Sequence, residues 1–147
     1  MLLLIAALSV LMTTGGCSRT QEVSRGDCDI NKALCAKTAQ GGTLVAFDIQ
    51  PKPVKAMADL LFTVVLTRGG EPIDRASANL DLSMPGMYMG LNRLALVNRG
   101  DGRFEGKGVI PRCVSGRKIW KARVEFAYPG NGAGNEGTAE FIFEVSR

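Results

Sequence analysis

The chain contains no histidine in 147 residues. That absence removes the commonest general base and the commonest metal ligand. Ser-His-Asp and Cys-His nucleophile arrangements are impossible, and zinc sites of the histidine type are excluded. No Cys-x-x-Cys, no Gly-x-Gly-x-x-Gly at a strand-to-helix junction and no phosphate loop occurs. The carboxylates are scattered and form no obvious pair. These gaps together speak against an enzyme. Aromatics are few, with one Trp and two Tyr. A nucleic-acid surface needs concentrated positive charge interleaved with stacking rings, and neither is in place, so no nucleic-acid partner is expected.

No apolar run reaches the roughly 20 residues that span a bilayer. What stands at the front is shorter. Residues 1–16, MLLLIAALSVLMTTGG, are apolar and then small and uncharged, and they end at Cys17. That is the layout of a secretory leader. Thr14-Gly15-Gly16-Cys17 resembles a bacterial lipobox, in which Cys17 carries lipid and becomes the mature N-terminus. Membrane lipid, held through Cys17, is then the first expected partner. The location is the cell envelope, facing the periplasm or the outside. Ser18, rather than Asp, favours the outer over the inner membrane.

The mature portion, 17–147, has the size of one domain. It holds all 18 Lys and Arg and all 14 Asp and Glu, a net charge of +4. The densest basic stretch, 112-RCVSGRKIWKAR-123, alternates with apolar residues and reads as a strand with a solvated face. Residues 18–27 are polar and aperiodic, a tether. The segment up to Gly42 reads as a cysteine-bearing loop or short helical turn, so that 17–42 precede a β domain at 43–147.

Export gives cysteine a meaning, because an oxidising compartment favours disulfides. With Cys17 lipidated, Cys28, Cys35 and Cys113 remain, an odd number. Pairing Cys28 with Cys35 closes a short loop, worth about 2–2.5 kcal/mol on the chain-entropy relation. Pairing either with Cys113 would instead staple the N-terminal segment to the domain. The local pair is favoured, and both remain open.

From Thr43 the pattern alternates with period two, the signature of half-buried strands. Seven strands are expected, at 43–50, 60–68, 76–83, 91–98, 103–110, 119–128 and 138–145, separated by Pro or Gly signals such as 99-RGDG-102. The expected fold is an all-β, immunoglobulin-like antiparallel sandwich.

Within that frame one stretch is chemically distinctive, 84-MPGMYMG-90. Pro then Gly at the centre of a four-residue turn suits type II, which brings the Cα atoms of Met84 and Met87 within about 7 Å. Met87 and Met89 then share a face of the following strand. Three thioethers converge on this reading, and thioether and thiolate sulfurs select Cu(I) over harder ions. Cys113 is the candidate fourth sulfur if its segment runs beside the turn. The plain alternative is packing, since methionine is a common gap filler in cores, or a surface that grips a partner protein.

The same residues resemble a known family. Met84, Pro85, Met87 and Met89, then Phe104, Gly106 and Gly108, then Trp120, Ala122 and Val124 are similar to the signature of the YtkA-like domain, over roughly residues 28–147. The resemblance implies a small, membrane-anchored, extracytoplasmic β-sandwich linked with copper handling and respiratory oxidase maturation. It also implies an envelope or respiratory protein as partner. Relatives often carry histidine beside the methionines. Its absence here restricts the implied site to Cu(I) and sulfur, built from Met84, Met87, Met89 and Cys113.

Overall fold

The computed structural model describes residues 26–130 and 135–146. The expected leader at 1–16, Cys17 and residues 18–25 of the expected tether lie outside the described residues. Nine strands occur among those described: β1 Cys35–Thr38, β2 Thr43–Gln50, β3 Leu60–Arg68, β4 Glu71–Pro72, β5 Ser77–Ser83, β6 Arg93–Gly100, β7 Arg103–Gly108, β8 Ile119–Ala127 and β9 Glu136–Glu144. All seven strands expected from alternation are present, with ends shifted by a few residues. The two additions are β4, two residues long, and β1, which lies in the segment read from sequence as a loop. A 3-10 turn at Gln40–Gly42 links β1 to β2.

Every ladder is antiparallel, and the strand order is β1-β2-β3-β7-β6-β5-β8-β9, with β4 beside β3. One layer is β2-β3-β7-β6 and the other β5-β8-β9. That is the four-plus-three Greek-key arrangement of constant-type immunoglobulin domains. The β5–β6 ladder joins the layers, so the sheet is continuous and curls until its two ends face each other, nearly closing a barrel.

Alternation in sequence becomes burial in space. On β2, Val45, Phe47 and Ile49 are buried, and on β8, Trp120, Ala122, Val124 and Phe126 are. Ala139, Phe141 and Phe143 of β9 extend the face of β8 and meet β2 across the core. Fully burying a large apolar side chain is worth about 1.5–3 kcal/mol, so these rings dominate the stability.

Two glycines of β7 shape the core wall. Gly106 lies beside Leu94 and Leu96 of β6, and a Cβ there would stand 2.7 Å from Leu94 Cδ2. At Gly108 a Cβ would press within 3.3 Å of the Phe62 ring. The Phe104-x-Gly106-x-Gly108 pattern is thus a packing requirement. One large ring fills the core, and two vacancies receive neighbouring side chains.

The residues from Asp27 to Lys37 sew up the outer edge of β9. The Cys28 N–H donates to the Ile142 carbonyl at 3.2 Å, and the Ile142 N–H donates to Asp27 Oδ1 at 2.8 Å. The Lys37 ammonium donates to the Glu140 carbonyl at 2.5 Å and pairs with Asp27. The Asn31 amide donates to the Glu144 carbonyl at 2.9 Å. Cys28 and Cys35 sit at disulfide distance, Cα atoms 5.9 Å apart, which holds this segment as one clasp. Of the two pairings left open by sequence, the structure brings together the local one, and Cys113 is free and buried.

Candidate metal centre

The methionine turn forms where β5 runs out. Ala78, Leu80, Leu82 and Met84 continue one inward face at alternate positions, all buried. Pro85 and Gly86 then reverse the chain. The Met87 N–H donates to the Met84 carbonyl at 3.1 Å, and Gly86 takes a positive φ of 72°. That is the type II geometry expected for Pro-Gly, since only glycine enters this region without cost. Met84 and Met87 face each other as an isolated antiparallel bridge.

The chain beyond the turn differs from the expectation. A strand was expected from Leu91, but β6 starts at Arg93, and 88–92 are irregular. Side-chain alternation survives this. Met87 and Met89 are half-buried against the core, whereas Tyr88 and Leu91 are 90% and 91% exposed. Met84 is thus part of the hydrophobic core, only 3% exposed, and Met87 and Met89 lie against the edge of that core.

Cys113 lies at the same end of the sandwich, in the loop between β7 and β8. The Ser115 hydroxyl is 3.0 Å from its Sγ, and the Gly116 N–H closes a turn onto the Cys113 carbonyl at 3.0 Å. The Ser115 hydroxyl, the Ser115 and Arg117 backbone N–H groups and the Arg117 charge hold the thiol below its ordinary range, against the opposing effect of burial. The thiol borders a cavity of about 350 Å³, formed with Ala56, Trp120 and Val145. None of the three methionines lines that cavity. The structure thus places the three methionines on one turn and gives Cys113 a separate hollow at the same end.

Sequence reasoning located the methionines and the cysteine but missed the surroundings of Cys113. Ser115-Gly116 is a turn signal that points to a local bend around the sulfur. The cavity itself depends on Ala56 and Val145, distant in sequence, and no local signal marks it. Among the described residues no three His, Cys, Asp or Glu side chains converge. The donor set at this end is therefore soft: one buried and two half-buried thioethers, and a thiol held below its ordinary range. Such donors fit Cu(I) and do not fit hard cations.

No protein-family model matches the chain, and no curated protein or solved structure matches it either.

Proposed function

We propose that this protein is an envelope-anchored, non-enzymatic β-sandwich that binds Cu(I) through Met84, Met87 and Met89 and passes it on. Copper handling or the maturation of a respiratory oxidase would be its setting. The observation that carries the reading is that Met84, Met87 and Met89 share one turn at one end of the fold, with Met84 and Met87 bridged across it and Met87 and Met89 half-buried against the core. The resemblance to the YtkA-like signature supports it. Neutral thioethers leave the bound ion its charge, which keeps the hold weak enough for release to a stronger site. Cys113 is the remaining soft donor at that end.

The test is an anaerobic titration of residues 18–147 with Cu(I) against a competing chelator, with free thiols counted in parallel. One equivalent should bind, and replacing all three methionines by Leu should abolish it while the fold persists. Unchanged binding in that variant overturns the site. The function would then be docking without metal, through the loop whose Tyr88 and Leu91 stand almost fully exposed, as a lipid-anchored interaction module of an envelope complex.

A further inference from the structure

Three loops meet at the methionine end: 51–59 after β2, 84–92 after β5 and 109–118 after β7. The antiparallel registers place them together, since Leu60 pairs with Gly108, Ser83 with Lys121 and Ile119 with Glu144. These loops carry most of the large apolar side chains that the fold leaves in water. Met57 is 62% exposed, Tyr88 90%, Leu91 91% and Val114 fully, with Val109 at 41%. Apolar side chains gathered at one end mark a contact surface rather than ordinary exposure.

The charge of the same loops has one sign. They hold Lys52, Lys55, Arg112, Arg117 and Lys118 against a lone acid, Asp59, an excess of four that equals the net charge of the whole chain. Lys52 turns inward to Asp48 and the Ile30 carbonyl, and Lys118 lies 3.7 Å from Glu144. Arg112 and Arg117 are exposed beside Val114. The described chain also begins at this end: Gly26 packs against Ile142 and Phe143, near the close of β9.

We propose that this end of the sandwich is a membrane-contact face that seats on an anionic lipid surface. Tyr88, Leu91 and Val114 enter the interfacial region, and Arg112 and Arg117 engage the headgroups. Exposed apolar side chains sharing one end with exposed Arg are the composition of interfacial binders. Each cation near an anionic leaflet is worth roughly fivefold in partitioning. The inference depends neither on copper nor on lipid at Cys17. Its consequence is orientation, because the methionine turn would be held at the bilayer surface.

The test is co-sedimentation of residues 18–147, which include every buried core residue from Ile30 to Val145. The vesicles are phosphatidylglycerol mixed with phosphatidylcholine, against phosphatidylcholine alone. Binding should appear with the anionic vesicles and weaken as salt is raised. It should fall about tenfold or more for Arg112→Gln with Arg117→Gln, and by a comparable factor for Leu91→Ser with Val114→Ser. Circular dichroism should show both variants folded, since all four positions are exposed. Equal sedimentation with neutral vesicles overturns the proposal, as does wild-type behaviour in both double variants. Absence of vesicle binding, with photo-crosslinks from position 88 to an envelope protein, overturns it in favour of a protein partner.

Discussion

The rings of Phe47 and Phe141 stack with centroids 5.2 Å apart and 27° between their planes. Phe47 belongs to β2, near the start of the strand order, and Phe141 to β9, its last member. The contact therefore joins the two ends of the sheet, with Phe143 adding a second ring 6.1 Å from Phe47. Phe141→Ala opens a cavity at this closure and should cost about 3–5 kcal/mol. Urea denaturation monitored by circular dichroism measures it. A loss below about 1 kcal/mol would mean that the two layers are held together elsewhere.

The methionines should separate by burial when replaced one at a time. Met84→Ala removes a core side chain and should destabilise by about 2–5 kcal/mol, whereas Met84→Leu should cost less than about 1.5 kcal/mol. Met87→Leu and Met89→Leu, at half-buried positions, should leave the unfolding midpoint nearly unchanged yet weaken Cu(I) binding. Full Cu(I) affinity in the Met87 and Met89 variants would reduce the turn to packing.

The clasp before β2 should be visible chemically. In residues 18–147, one thiol should react after denaturation without reductant and three after reduction. Cys28→Ser with Cys35→Ser should cost about 2–2.5 kcal/mol, the chain entropy released by a loop of this length. Three reactive thiols before reduction would show the pair to be open.

Legibility in the sequence followed from how locally each feature is determined. β8 and β9 were readable because their alternation is complete and each inward residue is buried. β1 was not, because Cys35-Ala36-Lys37-Thr38 carries no apolar period. It is extended because β2 pairs with it and its neighbours bond to β9, a tertiary cause. The type II turn at Met84–Met87 was readable, since Pro-Gly dictates it locally. The irregular chain at 88–92 was not, and Gly90, with φ 78°, delays the start of β6. The hollow beside Cys113 was hidden for a different reason: the local loop forms most of its lining, but Ala56 and Val145, which complete it, are distant in sequence.

Cys113 should titrate below a free thiol. The rate of alkylation by iodoacetamide, followed against pH, should rise at lower pH in the folded protein than in urea, because the thiolate is the reacting form and the Ser115 hydroxyl heads the groups that favour it. Ser115→Ala should move the rise to higher pH. Coincident profiles for folded and denatured protein would refute the arrangement.

The vacancies of β7 should be intolerant. Gly106→Val would force Leu94 and Leu96 apart and should destabilise by about 1–3 kcal/mol through overpacking. A neutral result in thermal unfolding would show that β6 moves outward at little cost.

The residues that cap β9 carry a consequence for association. Sheet proteins recruit other chains, or polymerise with their own copies, by lending an unpaired backbone edge to a foreign strand. Here the outward carbonyls of Glu140, Ile142 and Glu144 and the Ile142 N–H already have partners within residues 27–37. Strand donation along that border is barred unless the clasp comes away first. A partner, or a second copy, would have to approach by another surface.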